Sequence, residues 1–362
     1  MRRRSFLKAG GSAAAAGLLA GCTSPVSNTG NGGDTYTVSM TPMGDVEFSG
    51  VPEKAAVYCS GYADMLVALG HGDAIASIGQ KARYHTDGYD ELDGVSVDKS
   101  SMVDLVQRGV SRETFLDIGA DVNVVDPNWL TNVFDLNQDD VDQIAERTGP
   151  FFGNTIFRRT DAWHDYDYYT MYGAFEKVAQ AFKETDRYES FKSFHDDTIQ
   201  SISADLPSER PGAALVWGGS NQPTSFSPYL LSGQGANKKA FHDLGVSDAL
   251  AEADVQALST GNRSKIDYET LLDVDPDALF VRGHEEKTRQ EFLDTVVSFM
   301  QDHETASRLT AVENGKVFRG GPIYLGPIQH LFLTERFATN LYPDTYSGEL
   351  FDRSELASII TS

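Results

Sequence analysis

Residues 113–125 read ETFLDIGADVNVV and residues 269–281 read ETLLDVDPDALFV, so the two stretches align without a gap at an offset of 156 residues. Each begins with a helical pattern and ends as a short apolar strand. A second pair lies at nearly the same offset, because AAVY at 55–58 is similar to AALV at 213–216. The sequence therefore predicts an α/β fold of two similar lobes, each with a central sheet flanked by helices. The alternative is a chance match, since helix-then-strand units recur in all α/β folds.

The segment between the two copies, residues 161–205, has no strand pattern. Its apolar residues recur at helical spacing, which predicts one long amphipathic helix from about Asp165 to Lys183. At 1.5 Å per residue this helix would be ~28 Å long and could join the lobes as a stiff spine. The predicted organisation is an N-terminal α/β lobe over 34–160, a helical spine over 161–205, and a C-terminal α/β lobe with a terminal helix over 206–362.

An export signal is predicted for residues 1–21. Three arginines and SFLK precede a short run of small apolar residues, which resembles the twin-arginine signal of proteins exported in folded form. The sequence LAGC, ending at Cys22, resembles a lipobox, in which the cysteine is lipidated and becomes the first residue. Residues 22–33 are small, polar and glycine-rich, which predicts a flexible tether. No later stretch reaches the ~18 apolar residues of a spanning helix, so we expect the chain to be anchored to the outer face of the cell membrane by lipid alone.

The chain is strongly acidic, with 53 Asp and Glu residues against 30 Lys and Arg and a net charge of −23. This excess disfavours nucleic acid as a partner, because phosphate binding needs clustered cations. Cleavage before Cys22 removes four cations and no acids, which brings the net charge to −27. Because such self-repulsion needs screening by salt, we expect a halophilic, haloarchaeal source. The alternative is an ordinary acidic exported protein.

Motifs of common enzyme classes do not occur in the sequence. There is no GxxxxGK[ST] loop for phosphates, and Gly70-x-Gly72 lacks the third glycine of a dinucleotide fingerprint. No GxSxG elbow is present, and neither His284-Glu285-Glu286 nor His303-Glu304 completes an HExxH motif. We therefore expect no enzymatic activity, although a lipid-anchored enzyme without a recognisable motif remains an alternative.

Taken together, the lipobox, tether, two lobes and helical spine resemble the helical-backbone (class III) substrate-binding lipoproteins of ABC importers, which bind iron-siderophores, cobalamin or haem. The resemblance runs from about Tyr36 to the C-terminal helix and includes residues 55–79 and NGKVF at 314–318. It implies that the ligand lies in a cleft between the lobes and that the spine limits closure. It also implies that a separate permease and its ATPase carry out transport. We expect a monomer without an intrinsic cofactor, whose ligand is a ferric siderophore or similar Fe(III) chelate.

Glu113 and Glu269 occupy matching positions of the repeat, one in each lobe. In the family that this chain resembles, an acidic residue at the start of the helix before a cleft strand docks with arginines of the permease. Two matching carboxylates would let a two-fold symmetric partner engage both lobes through charge-assisted pairs. The alternative is that both acids stabilise helix N-termini, by ~0.3–1 kcal/mol each.

Ligand-binding side chains are expected on the loops at strand ends, where α/β folds place their ligands. Aromatic rings with a few cations there suit a bulky, partly anionic metal chelate. The alternatives are surface ion pairs for the arginines and core packing for the aromatic residues. The predicted ligand-binding residues are Tyr62, Arg83, Tyr84, Trp129, Trp217, Arg282, Arg319 and Tyr324.

A bare Zn²⁺ or Mn²⁺ ion is the rival ligand, held by His85, His164, His284 and nearby acids. Nothing in the spacing of these residues supports a metal site, and the loop from Tyr58 to Asp64 contains no histidine. No metal-ligating residue is therefore predicted. The sequence does not choose among a ferric siderophore, cobalamin and haem.

Overall fold

The structure, a computed structural model, describes residues 35–362. The predicted export signal, the predicted tether and the predicted lipidation site Cys22 lie outside these residues. Within the described residues, no helix combines the length and the apolar character needed to cross a bilayer.

The N-terminal lobe is built on a parallel sheet. Its strands are β1 (Tyr36–Met40), β2 (Gly44–Phe48), β3 (Ala55–Val57), β4 (Ile75–Ile78), β5 (Val103–Asp104) and β6 (Val122–Val124). Its helices are α1 (Ser60–Ala68), α2 (Leu105–Arg108), α3 (Arg112–Ile118), α4 (Pro127–Val133) and α5 (Gln138–Arg147). The parallel sheet has the order β5-β4-β3-β6, and β1 pairs with β2 in a separate antiparallel hairpin. Every residue of β3 is buried, as expected for a central strand of a parallel sheet.

Two helices, α6 (Met171–Phe182) and α7 (Thr185–Ala204), follow the N-terminal lobe. The first begins only after Thr170, whose hydroxyl accepts a hydrogen bond from the Gly173 N–H at 3.1 Å. It ends at Lys183, which has a left-handed backbone with φ of 57°. The helix predicted from Asp165 to Lys183 is thus shorter than expected and is separated from the next helix by a sharp turn.

The helix that joins the lobes is α7, which lies later in the chain than predicted. Its residue Phe191 packs in the hydrophobic core of the N-terminal lobe, whereas Ile202 packs in the core of the C-terminal lobe. With 20 residues, α7 is ~30 Å long. A long helix therefore passes from one lobe to the other.

The C-terminal lobe repeats the plan of the first lobe. Its strands are β7 (Gly212–Trp217), β8 (Ser227–Tyr229), β9 (Ser247–Asp248), β10 (Ala278–Arg282) and β11 (Val317–Arg319). Its helices are α8 (Lys239–Asp243), α9 (Ala249–Glu252), α10 (Tyr268–Val274), α11 (Arg289–Phe292), α12 (Ser298–Asp302) and α13 (Thr310–Glu313), and the chain continues with α14 (Pro327–Leu341) and α15 (Arg353–Thr361). The sheet order is β11-β10-β7-β8, with β9 also paired to β7. Its pairings are parallel except that between β7 and β8.

The repeat found in the sequence corresponds to α3 with β6 in one lobe and α10 with β10 in the other. Both helices have a side chain that caps the N-terminus, Ser111 in the first and Asp267 in the second. Both end at a left-handed residue, Gly119 or Asp275. The strand that follows pairs in parallel with β3 in the first lobe and with β7 in the second. The prediction of two similar α/β lobes is confirmed.

The last two helices connect the lobes again. Phe337 of α14 packs in the core of the C-terminal lobe, while the N-terminus of the same helix meets α1. There the buried carboxylate of Asp64 accepts a hydrogen bond from the Ile328 N–H at 2.8 Å. The helix α15 adds Leu356 and Ile360 to the hydrophobic core of the N-terminal lobe. The terminal helix thus packs on the lobe opposite to the one expected from its position in the chain.

Candidate functional site

Strand ends from both sheets border a cavity of about 410 Å³ between the lobes. In the N-terminal lobe, Tyr58 follows β3 and Trp129 lies on α4, shortly after β6. In the C-terminal lobe, Trp217 ends β7 and Tyr229 ends β8. The residues that line the cavity are Tyr58, Arg83, Trp129, Val133, Phe157, Arg158, Trp217, Ser227, Tyr229, Leu258, Arg263, Lys265, Ile323 and Tyr324.

Aromatic rings form one continuous wall of this cavity. Trp129 and Phe157 pack edge to face with ring centroids 5.1 Å apart, and Phe157 packs in the same way on Tyr324 at 4.9 Å. Tyr324 then meets Tyr58 at 6.1 Å. Edge-to-face contacts of this kind are favourable and hold rings in fixed relative orientations. Burial raises the pKa of Tyr58 to about 12, so its hydroxyl stays protonated at neutral pH and can donate a hydrogen bond.

Two arginines contact the tryptophans of the cavity. Arg83 of the N-terminal lobe lies over the ring of Trp217 in the C-terminal lobe, with its Cζ atom 5.0 Å from the ring centroid. Arg158 lies over Trp129 at 5.4 Å. Arg158 also forms a buried ion pair with Asp161, with 2.7 Å between Nε and Oδ2. Cation–π contacts therefore occur on both sides of the cleft, and one of them spans it.

Two further cations, Arg263 and Lys265, border the cavity from an exposed loop of the C-terminal lobe. In the described part of the chain, no aspartate or glutamate lines the cavity. The site is therefore aromatic and cationic, on a chain whose net charge is −23.

Half of the predicted ligand-binding residues lie at this cavity, namely Arg83, Trp129, Trp217 and Tyr324. The other four, Tyr62, Tyr84, Arg282 and Arg319, do not line it. Five further tyrosine or cationic lining residues were not predicted, namely Tyr58, Arg158, Tyr229, Arg263 and Lys265. Of these five, only Tyr58 directly follows a strand that the sequence predicted in the N-terminal lobe, so the strand-end rule could have selected it.

Tyr62 and Tyr84 are core residues, contrary to the expectation that they bind ligand. The Tyr62 hydroxyl donates to the Asn154 carbonyl at 2.9 Å and accepts from the Asn154 N–H at 2.8 Å. The Tyr84 hydroxyl pairs with that of Tyr89 at 3.2 Å. Both side chains are 1% exposed, so their polar atoms are satisfied inside the protein.

Arg282 lies behind the cavity wall and not at its surface. It is fully buried, and its Cζ atom is 4.9 Å from the ring centroid of Tyr229, which does line the cavity. Its guanidinium donates to the carbonyls of Asn237 at 2.7 Å and Gly320 at 3.2 Å. The Nη1 atom has no partner among the described residues. Burial lowers the pKa of Arg282 to about 10, which still leaves the side chain charged at neutral pH.

Arg319 borders a second cavity of about 290 Å³, which is also lined by residues of both lobes. There it donates to the Glu285 carbonyl at 3.5 Å. The Glu285 carboxylate is buried and pairs with Arg336 at 2.8 Å. Its lining contains both acids and arginines, namely Asp87, Glu91, Glu285, Glu335, Arg319 and Arg336, which makes it electrostatically different from the first cavity.

The histidines of the alternative metal site have separate surroundings. His85 borders the second cavity, His164 stacks on Trp163, and His284 donates to the Gly218 carbonyl at 2.6 Å. Burial lowers the pKa of both His164 and His284. Among residues 35–362, no group of three or more His, Cys, Asp or Glu side chains is placed to hold a metal ion.

Glu113 and Glu269 are exposed in the first turns of α3 and α10. Glu113 pairs with its neighbour Arg112 at 2.9 Å. Glu269 accepts a hydrogen bond from the Thr305 hydroxyl at 3.3 Å. Both carboxylates are thus accessible at equivalent positions of the two lobes.

Solved structures with this fold include several iron-related binding proteins. The petrobactin-binding protein YclQ from Bacillus subtilis is 15% identical, with a TM-score of 0.58 over 85% of this chain and 99% of its own. The iron-uptake substrate-binding protein PiuA from Streptococcus pneumoniae is 18% identical, with a TM-score of 0.56 over 84% and 97%. The ABC-type Fe³⁺-hydroxamate transport system from Saccharomonospora viridis is 15% identical, with a TM-score of 0.56 over 85% and 99%. At these identities the likeness shows the fold alone.

No curated protein matches this chain in sequence. Residues 56–324, which include both sheets and the cavity between them, match the family described as periplasmic binding protein. Since this match covers most of the chain, the protein belongs to the periplasmic binding protein family.

Proposed function

We propose that the protein is the substrate-binding component of an ABC importer and captures a ferric siderophore or similar Fe(III) chelate outside the cell. The observation that carries this proposal is the cavity between the lobes, whose aromatic wall and surrounding cations suit a bulky, oxygen-rich chelate. A bare ion needs several imidazole, carboxylate or thiolate ligands close together. The described residues offer no such group. Membership of a family of binding proteins agrees with capture and not catalysis.

The ligand would be held by contacts from both lobes. Tyr58 and Trp129 offer ring faces and edges from one lobe, and Trp217 and Tyr229 do so from the other. Arg83 already lies on Trp217 across the cleft, so a bound chelate would replace or extend this contact. Because α7 and α14 both connect the lobes, closure would be a small motion. Nothing in this mechanism alters the bonds of the chelate.

Two of the structural neighbours carry names that fit this ligand class. One is described as petrobactin-binding and another as part of an Fe³⁺-hydroxamate transport system. We propose that this protein is a class III substrate-binding protein that acts as a monomer, has no intrinsic cofactor, and delivers its ligand to an ABC permease and its ATPase. Export by the twin-arginine route, anchoring through lipid on Cys22 and a halophilic source complete the proposal.

Glu113 and Glu269 are proposed to dock with the permease. They occupy equivalent exposed positions in the two lobes, as a partner with two-fold symmetry requires. Replacing both by alanine should leave ligand affinity unchanged and abolish uptake in cells. Loss of ligand affinity in the purified double variant would instead exclude a docking role.

The binding proposal is tested by quenching of tryptophan fluorescence in the purified protein at molar KCl. A ferric siderophore should quench saturably at a ratio of one to one, because Trp129 and Trp217 both line the cavity. Trp217→Phe should reduce the amplitude of quenching, whereas Trp163→Phe should leave most of it, since Trp163 does not line the cavity. The chelate should be recovered unchanged after dissociation.

The same titration distinguishes the rival ligands. Haem or cobalamin as the only saturating ligand would keep the transport role but replace the siderophore. Saturation by Zn²⁺ or Mn²⁺ alone would refute the chelate site. Chemical change of the ligand on incubation would indicate an enzyme.

A further inference from the structure

We propose that the loop formed by residues 255–266, here called the cationic loop, selects polyanionic Fe(III) chelates through Arg263 and Lys265. Such ligands bind iron through catecholate or carboxylate oxygens and carry two or three negative charges. This inference rests on the proposed function and specifies the substrate class of the same cavity. It concerns residues that neither the strand-end rule nor the repeat would select.

The first observation is that three cations at the cavity lack a counter-ion. Arg83, Arg263 and Lys265 form no ion pair within residues 35–362, although acids outnumber bases by 53 to 30 in the chain. In a chain with this excess of acids, random placement of charged side chains would put carboxylates beside these three cations. Instead, the lining contains none among the described residues. A cluster of uncompensated cations in an otherwise acidic protein creates a local attraction for anions.

The second observation is a buried positive charge, that of Arg282, behind the wall. Arg282 is 0% exposed, and its hydrogen-bond acceptors are the backbone carbonyls of Asn237 and Gly320 and not carboxylates. One guanidinium nitrogen of Arg282, Nη1, has no partner among the described residues. Tyr229 separates this guanidinium from the cavity. A buried charge that forms no direct ion pair is unfavourable on its own, and an anion bound nearby would compensate it.

The third observation is that the cationic loop is fixed at the edge of the cleft. Its base pairs with residues 226–228, where Ile266 exchanges two hydrogen bonds of 2.8 Å with Phe226 and the Leu258 N–H donates to the Pro228 carbonyl at 3.1 Å. Its middle reaches the other lobe, because the Thr260 N–H donates to Asp161 at 2.6 Å. Since Asp161 also pairs with Arg158 of the cavity wall, the loop is tied to the binding site. Arg263 is therefore presented at the cavity by a loop attached to both lobes.

These observations favour a ligand with charge over a neutral one of the same size. A neutral ferric trihydroxamate could use the aromatic wall but would leave the cations of the loop without partners. A ferric tris-catecholate, with three negative charges, would form charge-assisted contacts with them. Because each such contact changes affinity by up to about one power of ten, loss of both cations should weaken binding of the trianion roughly tenfold to hundredfold.

The test compares the double variant Arg263→Ala/Lys265→Ala with the control Arg308→Ala/Lys316→Ala. Both remove one arginine and one lysine from the C-terminal lobe, but Arg308 and Lys316 do not line the cavity. Dissociation constants are measured by tryptophan quenching at one KCl concentration, with a ferric tris-catecholate, a ferric citrate-type chelate, haem and a neutral ferric trihydroxamate. Circular dichroism and the unfolding midpoint establish that each variant is folded.

We expect the loop variant to weaken binding of the tris-catecholate at least tenfold, to change the trihydroxamate less than about threefold, and the control to change neither. Equal effects on both chelates, or none on either, would overturn the inference while leaving the chelate-binding function intact. If the wild-type protein binds haem more tightly than every other ligand tested, the inference is overturned, because the selected ligand is then a dicarboxylate porphyrin and not a polyanionic iron chelate. If no chelate binds the wild-type protein and Zn²⁺ does, the proposed function itself fails.

Discussion

Asp161 is predicted to be one of the most sensitive positions in the protein, because its carboxylate holds the Arg158 guanidinium inside the wall of the cavity. The two side chains are 1% and 10% exposed, and the Nε–Oδ2 distance is 2.7 Å. The same carboxylate accepts a hydrogen bond from Thr260 in the cationic loop. Substitution Asp161→Ala removes both contacts at once.

The expected loss of stability follows from burial. Removing one partner of a buried ion pair costs about 3–5 kcal/mol, because the remaining charge stays in a poorly solvated site. The double variant Arg158→Met/Asp161→Ala removes both charges and keeps an apolar stem in place of the arginine. Its loss should be only about 1–3 kcal/mol, mostly from the unpaired Thr260 N–H and lost packing. The stability losses of the two single variants should therefore add up to more than the loss of the double variant, by at least about 2 kcal/mol.

The assay is urea unfolding at pH 7 and a fixed KCl concentration for the wild type, both single variants and the double variant. A matched control is Asp117→Ala, because the Arg108–Asp117 pair is similar in distance, at 2.6 Å, but 48% and 63% exposed. That control should lose no more than about 1 kcal/mol. If Asp161→Ala loses no more than the control, or if the single losses add up to the double loss, the reasoning is refuted.

Two further predictions concern the interior. Burial raises the pKa of Asp64 from 3.8 to about 7. The protonated carboxyl therefore stabilises the folded protein fully at pH values below 3.8, and this stabilisation is lost as the pH rises from there through the folded pKa near 7. The unfolding free energy of the wild type relative to Asp64→Asn should accordingly fall by roughly 4 kcal/mol between pH 4 and pH 8 in urea titrations, and a flat difference would contradict this. At Gly149 a Cβ atom would lie 1.9 Å from the Asp121 carbonyl oxygen, so Gly149→Ala should destabilise by at least about 3 kcal/mol. Gly50→Ala, with nothing within 4 Å, should change the unfolding midpoint little, and similar losses for both variants would show that steric contact is not the cause.

The two-lobed fold was predictable because its determinants are local in sequence. The helix that begins near Glu113 and the one that begins near Glu269 each carry a capping residue, an apolar face and a following strand. The predicted helix ends near Lys183, as α6 does, but the left-handed turn there and the joining helix that begins at Thr185 were not predictable, since residues 182–187 contain neither glycine nor proline. Lys183 is held there by a distant element, with its Nζ atom 4.4 Å from the ring centroid of Tyr36 in β1. Contacts between remote segments leave no periodic signal in the sequence.

The same distinction applies to the candidate site. Trp129 lies shortly after a strand of one lobe and Trp217 ends a strand of the other, so their place at the cavity could be predicted from the strand-end rule together with the expected cleft between the lobes. The burial of a side chain at a strand end could not be predicted from the sequence. Arg282 also ends a strand, but its neighbours cover it completely. Arg263 and Lys265 lie in a polar loop far from any strand of the parallel pattern, and only the folded chain brings them to the cavity.

The position of α15 determines when the first lobe can be completed. Leu356 and Ile360 fill part of the interior around α1 and α7, so this lobe lacks part of its core until residues 353–361 leave the ribosome. At ~5–20 residues per second, the roughly 290 residues between α1 and α15 take about 15–60 s to synthesise. During this time the nascent lobe exposes apolar surface that its own sequence cannot cover. Because α15 supplies part of its core, the N-terminal lobe cannot reach its final packing before residues 353–361 have been synthesised.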